Sequence, residues 1–336
     1  LNLTEEKNIM TRRKVIIDCD PGIDDALAIM LACRSPELEI LGLTIVSGNI
    51  NGYQCAENAL HILKVMDRLD IPVYLGATRP LLRDMVVAEE THGEDGLGGV
   101  KFERIEDVRY REGAVDFILN TLKMEDNVSV LAIGPLTNIA LALQTDKSAL
   151  SRMDELVLMG GAFKSHGNCS PVAEFNFWAD PDAAEMVLNQ LDRPITMVGL
   201  DVTREVVLTP NYIELLRQFN DPAADFIVDI TRFYLDFHWE QERTLGCVIN
   251  DPLAIAYFID PSICSGKTYY VDVVTEGKAI GMSMVDVGGI YKKEPNCLVL
   301  TQVHARAFME MFMTRLFPEH QSDITLVLSN EKYGCE

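Results

Sequence analysis

No CxxC pair occurs among the eight cysteines, which stand at 19, 33, 55, 169, 247, 264, 297 and 335. Those spacings suit neither a zinc site nor a small disulfide framework, so reduced thiols in a cytoplasmic protein are expected. Positive charge is also scarce: 29 Lys plus Arg face 51 Asp plus Glu, a formal charge of −22. So acidic a surface repels phosphate backbones and anionic membranes, which argues against nucleic acid or membrane as a partner. It favours neutral or cationic small molecules, or a metal ion. No apolar run approaches the ~20 residues of a membrane-spanning helix. The start, LNLTEEKNIMTRRK, lacks the apolar core of a secretory signal, and Met10 is a candidate native start. Residues 1–13 are expected to be a disordered extension ahead of a single domain over 14–336. Internal repeats, low-complexity tracts and linkers are missing as well.

What is present is an alternation. Apolar runs at 14–20, 40–48, 71–76, 128–134, 155–161 and 195–201 read as strands ending in Gly or Asp. Helix-spaced segments lie between them at 24–35, 53–69, 136–146, 181–190 and 222–242. Strands separated by helices of ten or more residues predict an open, mainly parallel twisted α/β sheet with right-handed crossovers. Ligands of such sheets bind at the carboxyl ends of the strands. Residues 268–301 look strand-rich and less regular, a small extra β element. Two long connections, 76–110 and 160–176, follow strand ends; they read as binding loops, with solvated surface as the plain alternative.

The densest chemistry is Asp18-Cys19-Asp20-Pro21-Gly22-Ile23-Asp24-Asp25. Alternation puts Asp18 and Asp20 on one side of a strand, Pro-Gly turns the chain, and Asp24 is placed to cap the following helix. Two carboxylates ~5 Å apart repel by about 3 kcal/mol at an effective dielectric of 20. Four in a small volume call for a cation or for raised pKa values, unless each acid has a separate local task. Acids without His or Cys suit a hard cation such as Ca²⁺ or Mg²⁺. Cys19 reads as a small buried filler.

DCDPGIDDALAI resembles the DxDPGxDD signature of the inosine-uridine-type nucleoside hydrolases. TIVSGN (44–49), HGEDGLGG (92–99), AIGPLTNIALAL (132–143), LMGGA (158–162), GNCSPVAEFNFWADPDAA (167–184), GLDVT (199–203) and NDPLA (250–254) follow in family order. The resemblance spans roughly residues 14–290 and rests on that joint order. It implies the nucleoside hydrolase fold, cleavage of the N-glycosidic bond of ribonucleosides in purine or pyrimidine salvage, and a homodimer or homotetramer. It also implies a bound Ca²⁺ held by Asp20, Asp25, Asp251 and the carbonyl of Ile133. Asp20 is then the base that activates water, and Asn49 orients that water. Asp24 and Asn176 meet the 2′-hydroxyl, and Asp251 with the ion meets the 3′-hydroxyl. Asn168 and Glu174 hold the 5′-hydroxyl, while Met159 and Phe175 pack on the sugar. Read alone, Asp251 is a helix cap before Pro252 at N1, and the Asn and Glu residues cap loops.

The sequence departs from the family at Asn250, where many pyrimidine-accepting members carry a His thought to assist the departing base. Asn has no titratable proton at neutral pH. His238, Tyr234 on the same helix face, and His92 on the long loop are candidate replacements; a good leaving group that needs no acid is the other route. Two rival readings remain: a ribose or nucleoside binder without turnover, and a phosphatase using Asp18 as nucleophile.

Overall fold

The computed structural model describes residues 12–103 and 105–331. Among these described residues twelve strands are formed: β1 (Arg13–Cys19), β2 (Leu38–Ile45), β3 (Val73–Leu75), β4 (Arg111–Glu112), β5 (Val128–Ala132), β6 (Leu156–Met159), β7 (Ile195–Val198), β8 (Val207–Leu208), β9 (Cys247–Val248), β10 (Cys264–Val273), β11 (Ser283–Asp286) and β12 (Cys297–Val303). Ten make one sheet in the order β11-β10-β12-β7-β6-β5-β1-β2-β3-β4, and β8 with β9 form a separate antiparallel ribbon. From β12 to β4 every pairing is parallel; β10 runs antiparallel to β12 and β11. The extra β element in the C-terminal third therefore exists as a continuation of the main sheet. It enters that sheet through β12, which pairs with β7.

Parallel strands are covered on both faces, so their sequences run continuously apolar. Every residue of β5, β6 and β7 is buried. Alternation in β1 sends Val15, Ile17 and Cys19 into one core and Ile16 into the other. The first core lies under the helices Ile23–Cys33, Gly52–Val65, Pro222–Glu242 and Asn250–Ile259. The second lies under Ala114–Met124, Thr137–Leu150 and Pro181–Gln190. Strand order runs outward from β1 in both directions, so the sheet changes its winding between β1 and β5. Such a switch point opens a crevice at the carboxyl ends.

Three sequence expectations need correction. The first strand starts at Arg13, inside the segment expected as extension; residues 1–11, with Met10, lie outside the described residues. Asp24 does not cap its helix. Gly22 is the N-cap, and Asp25 reaches back to accept from the Gly22 and Asp20 amides at 3.0 and 3.1 Å. Nor does Pro252 sit at N1: the helix begins at Asn250, so Asp251 lies in its first turn with Ile249 as N-cap.

Parts of both long connections are tied down by specific bonds. In the first, Gly93, Gly96, Gly98 and Gly99 all have φ between +73° and +82°, which glycine adopts without steric cost. Asn58 clamps this loop by donating to the carbonyls of Pro21 and Asp95 at 3.0 and 2.8 Å. In the second, the Asp201 carboxylate accepts from the amides of Phe163, Lys164 and Ser165 at 2.6, 2.7 and 3.0 Å.

Candidate active site

Strand register assembles the site. Asp18 lies beside Thr44 on β2 and Ala132 on β5, so the next residues of all three strands emerge together. Those residues are Asp20, the turn 46–49 and Ile133. Asp18 itself stays below: its Oδ1 accepts from Thr44 Oγ1 at 2.6 Å and Asn138 Nδ2 at 2.8 Å. It is wholly buried, its Oδ2 has no partner, and burial pushes its carboxyl up to about 7. Neither Asp18 nor Asp20 nor Asp25 lines the cavity directly; Asp18 lies two residues further down the strand than Asp20, held there by Thr44 and Asn138, which counts against it as a phosphatase nucleophile.

Asp20 is also wholly buried. Its Oδ2 accepts from the Asn49 amide at 2.7 Å, while its Oδ1 has no partner. Asn49 Nδ2 donates to the Asp20 carbonyl at 3.2 Å and to Asp25 Oδ2 at 2.9 Å, tying the turn to the acids. One carboxylate oxygen each from Asp24, Asp25 and Asp251 lies within 4.8 Å of the others. Asp20 stands beside this group rather than inside it, joined through Asp25. Burial, then neighbouring acidic charge, raises Asp20 and Asp251 well above the usual carboxylate range and Asp25 to about 7.

Above the acids opens a cavity of about 720 Å³. Its lining includes the acids Asp24 and Asp251 with Asn49 and Ile133, and also Met159, Phe175, Asn176, Glu174 and Asn168. Asn176 Nδ2 donates to the carbonyls of Ile133 (3.0 Å) and Met159 (3.1 Å), which leaves its Oδ1 for another partner. Glu174 does cap: Oε1 accepts from the Asn176 amide at 2.8 Å, and Oε2 from Gly161 and Phe177 at 2.9 and 3.1 Å. Burial still pushes its carboxyl up to about 7. Capping and lining the cavity are thus one arrangement. Cys19 is packed in the core, as expected of a filler.

The lining is completed by Val86 to His92 and, from the helix Pro222–Glu242, by Tyr234, Phe237, His238, Gln241 and Glu242, among others. His238 lines the cavity with both ring nitrogens engaged. Nδ1 donates to the Tyr234 carbonyl at 2.8 Å, and Nε2 accepts from the Val248 amide at 3.3 Å. His92 Nδ1 accepts from the Ile23 amide at 3.1 Å, and burial lowers its pKa to about 4. Tyr234 donates its hydroxyl to Asp24 Oδ2 at 3.3 Å, and Asn250 Nδ2 does the same at 3.1 Å.

Sequence reasoning missed Arg204 and Glu242. Arg204 donates to Ser165 Oγ and to the carbonyls of His166 and Gly167, and lies 3.6 Å from Glu242 Oε1. It ties the 163–169 loop to the last turn of the cavity-lining helix. Arg204 follows GLDVT directly, yet nothing in its spacing points to a loop some 38 residues upstream.

An open parallel sheet with acids and amides gathered at its switch point defines an α/β protein with a small-molecule site. The chain belongs to the inosine-uridine preferring nucleoside hydrolases, whose family model matches residues 15–310. It is 38% identical over 292 residues to a pyrimidine-specific ribonucleoside hydrolase, RihB, of Escherichia coli, covering 86% of this chain and 92% of that one. A purine-preferring ribonucleoside hydrolase from Gardnerella vaginalis superposes with a TM-score of 0.86 at 33% identity, covering 92% and 99%. A plant nucleoside hydrolase gives 0.86 at 30% identity, covering 90% and 98%. Among the described residues, no helix is long and apolar enough to cross a membrane.

Proposed function

We propose that this chain hydrolyses the N-glycosidic bond of ribonucleosides to free base and ribose, with Asp20 as general base and Ca²⁺ as its resident ion. One observation carries the reading: a buried carboxylate with one oxygen fixed by a backbone amide and the other unpartnered, beside three more buried acids. The donor set fits a hard cation, being oxygen only and uncompensated; Arg204 is the one Lys or Arg among the described residues lining the cavity. Asp20, Asp25, Asp251 and the Ile133 carbonyl would hold the ion, whose charge would offset the acids and hold sugar hydroxyls.

The chain's own groups supply the rest. Asp20 takes a proton from water as its oxygen attacks C1′, and the Asn49 amide fixes the accepting carboxylate. The acidic cluster stabilises positive charge developing on the sugar. Asp24 accepts from the 2′-hydroxyl beside Asn176, with Asn168 and Glu174 at the 5′-hydroxyl. A 2′-deoxynucleoside leaves Asp24 and Asn176 unsatisfied, and discrimination follows. The test is Asp20→Asn with 4-nitrophenyl riboside and uridine. Turnover should fall by about 10³ or more on both while the melting curve persists; retained turnover removes Asp20 from the role.

A further inference from the structure

We propose that the site is built for ribosides whose base carries a fixed positive charge, such as N7-alkylpurinium or N-alkylpyridinium ribosides. The inference rests on the hydrolase reading above and names its substrate class. If the ribose lies against the acids with Asn176 and Asn168, as proposed above, the lining left to face the base is 86–92, Tyr234, Phe237, His238, Gln241, Glu242 and Asn250.

A neutral nucleoside leaves its bonding pair on a ring nitrogen, which must then take a proton. No group of this lining is fit to give one. His238 spends both ring nitrogens on backbone groups; His92 accepts through Nδ1, so its proton sits on Nε2, and the N–H of a neutral imidazole can hydrogen-bond a base but is too weak an acid to protonate it. The Tyr234 hydroxyl is committed to Asp24. Asn250 turns its amide to Asp24 as well, and its buried Oδ1, with no partner, is an acceptor and not a donor. The remaining imidazole, His166, lies on the 163–169 loop beside Asn168, with Nδ1 on the Gly167 carbonyl.

A cationic base removes the need. Water oxygen bonds to C1′ as the C1′–N bond breaks, the pair flows to the ring nitrogen and cancels its charge, and the water proton goes to Asp20. The base leaves neutral.

The lining also matches such a ring in charge. Glu89 and Glu90 are exposed at the mouth and make no ion pair among the described residues. Arg204, the one Lys or Arg lining the cavity among the described residues, is committed to Glu242 and the loop carbonyls. Tyr234 and Phe237 present aromatic rings to the same space, and ring faces attract cations.

The experiment compares inosine with 7-methylinosine, near-isosteric and differing in charge, with 4-nitrophenyl riboside as a neutral substrate needing no acid. The calcium-loaded chain is assayed from about 0.01 M to about 0.15 M salt, where the screening length falls from about 30 Å to about 8 Å. We expect kcat/KM for 7-methylinosine to exceed that for inosine by about 10²–10⁴, the worth of the missing acid. It should fall about tenfold across the salt range while nitrophenyl riboside holds steady. Glu89→Gln/Glu90→Gln should remove most of that salt dependence. Intrinsic lability of the methylated base explains a higher rate but not its salt dependence or the loss of that dependence in the variant. Equal rates for the two inosines, or a His166→Ala variant that slows inosine alone, overturns the proposal while the hydrolase reading stands. Failure on all three substrates overturns the hydrolase reading instead.

Discussion

Asp20 is boxed in by two glycines, and filling either box tests its role without touching its chemistry. A Cβ on Gly48 would lie 2.1 Å from Asp20 Oδ2, and one on Gly134 would lie 2.5 Å from Oδ1. Gly48 does not occupy the left-handed region, so alanine carries no backbone penalty there. In Gly48→Ala the carboxylate must retreat by at least about 1 Å, and the Pro135 ring, 2.8 Å from the same Cβ, must give as well, so Asp20 leaves the Asn49 amide that it now holds at 2.7 Å. Misplacing a reacting group by about 1 Å costs about 10²-fold in rate. Overpacking costs stability too, about 1–3 kcal/mol. The assay is kcat on 4-nitrophenyl riboside, which needs no leaving-group acid, with a melting curve on each protein. Gly288→Ala is the control, since its Cβ meets only the Ile290 side chain, at 3.5 Å. A Gly48→Ala enzyme that keeps half or more of the parental kcat would refute the argument: the base would then lie elsewhere, or its position would not matter.

Calcium removal should expose the cost of the buried acids. Asp25 sits near 7 against 3.8 when free, and Asp20 and Asp251 are raised likewise, so the folded ion-free chain holds protons that the unfolded chain releases. Stability in chelator should therefore decline as pH rises from about 4 to about 7. Calcium at 100 times its dissociation constant should restore about 2.7 kcal/mol, most visibly at the upper end, as melting temperatures in chelator and in calcium would show. His238→Ala should slow uridine and nitrophenyl riboside by the same factor, because its ring is tied to the Tyr234 carbonyl and the Val248 amide; selective slowing of uridine would make it the acid after all. Arg204→Ala should raise KM for uridine more than for 5′-deoxyuridine, since the loop it fastens carries Asn168; equal increases would mean that the loop does not act through the 5′-hydroxyl.

The strands that carry the site were legible because each is buried on both faces and so leaves an unbroken apolar run. The two-residue strands β4, β8 and β9 were not, since pairing with a neighbour defines them and two residues carry no period. The loop at 92–99 was visible as a glycine cluster, though its tight fold needed Asn58, from a helix that shows only as amphipathic. Asp20, Asp25 and Asn49 announced themselves as acids and amides at strand ends, where a fold has no packing use for them. Asp18 belonged to the same motif and turned out to lie below the site, because strand alternation fixes a side but not a depth. Arg204 and Glu242 are ordinary surface residues by pattern. Only the folded chain shows that they meet.

The acids are also a problem of magnitude that the fold only partly solves. At 4.8 Å and an effective dielectric of 20, two carboxylates repel by about 3.5 kcal/mol, so three mutual pairs among Asp24, Asp25 and Asp251 total about 10 kcal/mol. Two helix N-termini meet here: Asp24 and Asp25 occupy the first turn of Ile23–Cys33, and Asp251 that of Asn250–Ile259. Each acid gains about 0.3–1 kcal/mol from such a terminus, about 3 kcal/mol at most for the three. The Gly22 and Asp20 amides on Asp25 add hydrogen bonds of about 1.5–3 kcal/mol each, and serve that acid alone. At the lower end of these ranges backbone dipoles leave several kcal/mol uncompensated, before the desolvation of buried carboxylates is counted. Protons close that gap in the ion-free chain, in keeping with the raised pKa values, and a divalent cation would close it without neutralising Asp20. On the proposed reading the ion and the general base are one requirement: whatever strips the protons from this cluster would leave Asp20 able to accept one from water.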